Sequence, residues 1–95
     1  MDMPSGCRVA AHPSTVFREE LDDWALLFNP DTGAVFGLNP VGAFVRKHLD
    51  GSRTVEELAD LVRQGFEDVP AEVEEEVAAF VEELVGMGFA EYRAS

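Results

Sequence analysis

The chain reads as an α+β protein in which a three-stranded antiparallel meander is followed by three helices, and three observations carry that reading. Two short apolar runs, Trp24–Phe28 and Ala34–Leu38, flank Asn29-Pro30-Asp31-Thr32-Gly33. In that loop Pro30 presets a turn φ, Asp31 and Thr32 can hydrogen-bond nearby backbone, and Gly33 can take the positive φ on which a hairpin loop ends. Beyond residue 39 the apolar residues recur at helical rather than alternating spacing. Each helical stretch opens on a start signal: Asn39-Pro40, the Thr54/Glu57 pair, and Pro70.

A chain of 95 residues is one domain, near the small end of what holds a core without staples. A hydrophobic fraction of 46% with seven Phe is enough for that core and argues against disorder. Seven basic against 19 acidic residues give a net charge of −12, which repels phosphate backbones and anionic membrane surfaces, so partners are expected to be neutral or basic. With Cys7 as the single cysteine there is no disulfide framework and no thiolate metal cluster. No stretch approaches the ~18–20 apolar residues of a membrane span. The first fourteen residues lack the basic start and apolar run of a signal peptide, so the expected location is cytoplasmic.

Taken in order, residues 1–13 hold Pro4, Gly6 and Pro13 among small residues with no period, and a flexible tail is expected there, with the domain spanning 14–93. The first strand is expected over about 15–21, where Phe17 and Leu21 share a face. Asp22-Asp23 make a tight connection to a second strand over 24–29, and the third spans 33–38. In that third strand Ala34, Phe36 and Leu38 alternate with Val35 and Gly37. It ends the meander, so it is an edge, and it carries no Lys, Pro or charge to discourage pairing. Such an edge is either covered by a helix or the tail, or it is a binding surface.

The first helix places Val41, Phe44, Val45, His48 and Leu49 on one stripe and stops at Asp50-Gly51. The second, capped by Thr54 and Glu57, buries Val55, Leu58, Ala59, Val62 and Phe66. The third, expected over 70–87, sets Val73, Val77, Phe80, Val81, Leu84 and Val85 against a face of glutamates, and Gly86 and Gly88 end it. Phe89-Ala90-Glu91-Tyr92 can close the chain as a short strand.

Chemistry is sparse. His12 lies in the expected tail and His48 on an apolar stripe, neither placed as the base of a nucleophile. No His/Cys/Asp/Glu cluster has ligand spacing, and Glu74-Glu75-Glu76 reads as a solvated face. The glycines form no phosphate loop. No enzyme activity and no cofactor are expected. Strands with three short helices also suggest a winged-helix DNA binder, but from Gln64 through Tyr92 there is no Lys or Arg, and a recognition helix there would drive acid into phosphates.

With these elements in place, Trp24 to Glu91 resembles the PqqD family of small peptide chaperones, also described as RiPP precursor recognition elements. The likeness rests on apolar strand residues ending in Leu38-Asn39 with Gly42 three on, Phe44 to Leu49 leading into Asp50-Gly51-Ser52-Arg53-Thr54-Val55-Glu56-Glu57-Leu58, and an acidic helix with Phe80, Leu84 and a closing Gly88-Phe89. The resemblance implies a winged-helix-like fold that binds peptide: the leader of a ribosomally made precursor pairs beside the third strand, in the groove against the third helix. Carried onto this chain, the backbone of Ala34, Val35, Phe36, Gly37 and Leu38 would supply hydrogen bonds, and Val73, Val77, Phe80 and Val81 would wall the pockets with Glu76 at the rim. It also implies a modifying enzyme, often a radical SAM enzyme, as second partner, with this protein delivering substrate and doing no chemistry; the oligomeric state stays open, a monomer being favoured. The acidity of the third helix departs from the family pattern and predicts a leader with basic residues beside its apolar anchors. A winged-helix transcription regulator working through protein contacts, or a small interaction module of other function, is the alternative.

Overall fold

The hairpin that opened the reading forms as its residues dictate. In the computed structural model, which describes residues 6–93, the Asn29 Oδ1 accepts the Asp31 N–H at 2.9 Å, and the Asn29 C=O accepts the Gly33 N–H at 2.7 Å. Gly33 has φ 79°, the left-handed conformation that glycine reaches without a Cβ penalty. The elements run β1 (Arg8–Ala11), β2 (Val16–Glu19), a 3-10 turn (Leu21–Asp23), β3 (Ala25–Phe28), β4 (Val35–Leu38), α1 (Pro40–Lys47), β5 (Asp50–Thr54), α2 (Val55–Gly65), α3 (Val73–Gly86) and β6 (Ala90–Arg93). The expected meander is the antiparallel sheet β2-β3-β4, with shorter strands than the sequence suggests.

A second antiparallel sheet, β5-β1-β6, corrects two expectations. Residues 8–11 are not a tail: β1 is the central strand, paired on both sides, with Val9 fully buried. The Ala11 N–H donates to the Leu49 C=O at 2.8 Å and the His12 N–H to the Phe89 C=O at 2.9 Å, tying this strand to the ends of α1 and α3. The first five residues of the expected tail lie outside the described residues. Asp50-Gly51-Ser52-Arg53-Thr54 does not merely stop α1 and cap α2; it is the strand β5, with Gly51 at φ 84° and a register shift opposite Val9/Ala10. The capping box is present as well, Thr54 Oγ1 accepting the Glu57 N–H at 3.2 Å and Glu57 Oε1 accepting the Thr54 N–H at 2.9 Å.

α1 starts as expected, with Asn39 Oδ1 accepting the Gly42 N–H at 2.7 Å and Pro40 at the first helical position. α3 begins at Val73 instead of Pro70: Asp68 takes φ 55°, and Pro70 sits in the preceding turn, its C=O accepting the Val73 N–H at 3.1 Å. Gly88, at φ 81°, ends α3 and lets the Phe89 N–H return to the Leu84 C=O at 2.8 Å. The closing strand is β6. One core joins both sheets and all three helices through Val9, Leu27, Leu38, Val45, Leu58, Val62, Val77, Val81, Leu84 and Phe89. Each such aliphatic side chain contributes ~1.5–3 kcal/mol on burial. Among the described residues no helix is long and apolar enough to cross a membrane, and no group of three or more potential metal ligands comes together.

Candidate functional site

The direction of each peptide group in β4 follows from the turn. The Asn29 N–H donates to the Ala34 C=O at 2.9 Å, so 29 and 34 face each other as a hydrogen-bonded pair. By the alternation of antiparallel ladders, Leu27 with Phe36 and Ala25 with Leu38 are the next such pairs. The Glu20 N–H to Trp24 C=O bond at 2.6 Å fixes the other side of β3 consistently, with Leu26 and Phe28 turned toward β2. Val35 and Gly37 therefore present their N–H and C=O groups outward, and no described strand pairs with them. Of the five residues whose backbone was expected to bind, Ala34, Phe36 and Leu38 turn theirs to β3, because a strand can offer only alternate residues to a new neighbour. The opposite edge, β2, carries Arg18 and Glu19 and is followed by Glu20, ties Glu19 to Lys47 of α1 at 2.6 Å, and lies under the Arg46 guanidinium, 5.3 Å from the Phe17 ring. One edge is guarded by charge and the other is bare.

The inner face of β4 leads to α3. Phe36 stands 6.3 Å from Phe80 and 6.2 Å from Phe89, ring centre to ring centre, so an aromatic step connects the open strand to the helix. Phe80 reaches over the start of α1, where a Cβ on residue 42 would lie 3.3 Å from its Cζ. Between α1 and α3 a cleft of about 220 Å³ is lined by Asn39, Val41, Gly42, Val45, Val73, Glu76, Val77 and Phe80. Of the helix residues assigned to pocket walls, Val73, Glu76, Val77 and Phe80 meet there. Val81 does not; it is fully buried in the core, one position round the helix from Phe80. Leu38 is likewise core, and Val35 is 58% exposed on the outer face of the sheet, in a cross-strand row with Phe28 and Val16. The α1 side of the cleft went unassigned in the sequence. Its signal was Gly42, a glycine in the first turn of a helix, where a close approach is the reason to forgo alanine.

Nothing in the cleft is arranged for proton transfer. His48 ends α1 with its Nδ1 2.8 Å from the Phe44 C=O and its ring 4.6 Å from that of Phe44, while His12 Nδ1 sits 2.8 Å from the Ser14 Oγ. The groups with displaced titration lie elsewhere: burial lowers Arg46, the Ser52 hydroxyl and N–H lower Asp50, and burial with Glu82 and Cys7 nearby raises Tyr92.

A winged-helix-like α+β fold with one bare strand edge beside an apolar helix cleft has the geometry that edge-strand binding requires. The chain belongs to the PqqD family: the family model described as "Coenzyme PQQ synthesis protein D (PqqD)" matches residues 25–90. No curated protein matches it. Among solved structures it is similar to TbiB1 in complex with the TbiA(beta) leader peptide, with a TM-score of 0.72 and 24% identity over 86% of this chain and 94% of that one. It is also similar to a lasso peptide synthetase B1 complexed with the leader peptide, with a TM-score of 0.72 and 20% identity over 88% and 98%. The heterocyclase TruD matches at a TM-score of 0.63 and 16% identity, across 90% of this chain and 11% of its own. At these identities the likeness is one of fold.

Proposed function

We propose that this protein is a non-catalytic peptide chaperone: it binds the leader of a ribosomally synthesised precursor by strand addition to β4, in the groove against α3, and presents it to a modifying enzyme, for which a radical SAM enzyme is the family's usual partner. The observation that carries the reading is the bare β4 edge with Val35 and Gly37 turned outward, next to the cleft floored by Val73, Val77 and Phe80. A guest strand there gains up to four backbone hydrogen bonds from those two residues, each contributing ~0.5–1.5 kcal/mol net, and the cleft adds apolar burial and selectivity. Membership of the PqqD family and likeness to two folds described as bound to leader peptides support it. A regulator that grips DNA is disfavoured by a net charge of −12. We place the protein in the cytoplasm, where ribosomal precursors are made.

Gly37→Pro removes one outward N–H at an edge position where proline is tolerated, and Val35→Lys adds the charge that natural edges use to repel pairing. Both variants are expected to lose leader binding, read by fluorescence anisotropy with a labelled synthetic leader peptide that the unaltered protein binds, while the thermal midpoint moves little. Undiminished affinity in both would refute strand addition to β4.

A further inference from the structure

The cleft does not end at α1. A second depression, about 150 Å³, is lined by Val41, Val62, Phe66, Glu67, Asp68, Val69, Pro70, Val73 and Glu76, so Val41, Val73 and Glu76 form the divide between the two. Val41 is a large apolar side chain left exposed at that divide. Each depression is smaller than the ~300–1,000 Å³ of a small-molecule site, a size that suits single side chains of an extended chain. Asn39, which lines the first depression, directly follows the Leu38 end of β4, so the trough opens beside that end of the strand.

Its electrostatics are one-sided. No Lys or Arg lines either depression, and among the described residues Glu67, Asp68 and Glu76 make no ion pair within 4.0 Å. Arg63 is engaged with Asp60 and Glu74. The N-terminus of α3 adds a partial positive charge of about half a unit, which three carboxylates outweigh. We infer that the guest segment past the β4-paired stretch carries a Lys or Arg between two apolar side chains, the apolar pair filling the two depressions and the cation meeting Glu76 at the divide. The inference rests on the strand-addition reading for where the peptide comes from; the acidic, two-part trough supplies what it must carry.

The test is to pan a random decapeptide phage library against the full chain at low salt. Enriched clones are expected to share a Lys or Arg flanked by apolar residues. The best of them, made as a synthetic peptide, should bind Glu76→Lys about tenfold more weakly, and Glu75→Lys, on the same helix but lining neither depression, nearly as tightly as the unaltered protein. Both sites are exposed, so circular dichroism should show the fold intact. Clones with no basic enrichment, an absence of any enriched clone, or equal weakening by both variants would overturn the inference, the last because it reports net charge alone. Gly37→Pro separates the two readings. If it abolishes binding while Glu76→Lys leaves it unchanged, strand addition stands and the cationic subsite falls; if Glu76→Lys weakens binding and Gly37→Pro does not, the subsite stands without strand addition.

Discussion

Gly42 and Phe80 set the shape of the cleft between them. A methyl at residue 42 would lie 3.3 Å from the Phe80 Cζ and 3.2 Å from the Asn39 Oδ1 that caps α1. Gly42→Ala gains ~0.5–1 kcal/mol of helix propensity but must push the half-buried ring into the cleft, so unfolding free energy is expected to stay within about 1 kcal/mol of the parent while leader affinity falls. Urea titration and anisotropy read the two separately. Phe89 lies fully buried behind Phe36, and Phe89→Ala is expected to cost ~3–5 kcal/mol, measured by the same titration. The structure brings Phe36 and Phe80, both named from the sequence, within 6.3 Å ring to ring, but by the Phe36 side chain and not by the backbone assigned to it. Val81 lies in the core and not in the cleft wall: Val73, Val77 and Val81 form a stripe four residues apart, and spacing alone does not tell which end of a wide apolar stripe lies under the cleft and which under the core.

β4 is open because β3 uses only one of its sides, and its neighbours α1 and α3 approach through side chains. That much was legible: the turn Asn29–Gly33 fixes register, and a meander's last strand is an edge. β1 and β5 were not, and the cause is physical. β1 is four residues long and pairs with positions 50–54 and 90–93, so its order comes from distant partners and leaves no local period. β5 is Asp-Gly-Ser-Arg-Thr, poor in β-branched and aromatic residues, and it exists because β1 supplies a ladder. Val9→Asp would place an unpaired charge at a fully buried position of the central strand, and cooperative unfolding is expected to disappear by circular dichroism. Retention of a native-like melt would show that the β5-β1-β6 sheet is dispensable.

For the molecule as a whole, a charge of −12 on 95 residues makes salt a two-way lever. Screening weakens self-repulsion, so the thermal midpoint should rise modestly from low to 0.5 M salt, while affinity for a basic leader should fall over the same range. An affinity flat in salt would contradict the role given to the acidic rim. The pH dependence has a working sign at each end. Asp50 titrates below the ordinary carboxylate range because Ser52 hydrogen-bonds its charged form, so its contribution is full above that range and is lost as pH falls through the lowered value. Tyr92 titrates above the ordinary phenol range, chiefly through burial, so its contribution is full below that range and is lost as pH rises through the raised value. Asp50→Asn should remove only this group's small share of the acid-side loss and leave the alkaline side unchanged, read from thermal midpoints across pH.

A guest strand is expected to pair with Val35 and Gly37 and with no other backbone of the sheet. Residue-resolved amide hydrogen exchange, with and without the leader, tests it. The Val35 and Gly37 amides, turned to solvent in the free protein, are expected to slow markedly on binding, while Phe36 and Leu38, already bonded to β3, change little. Slowing at Phe17 and Glu19 on the β2 edge, with Val35 and Gly37 exchanging as before, would contradict it.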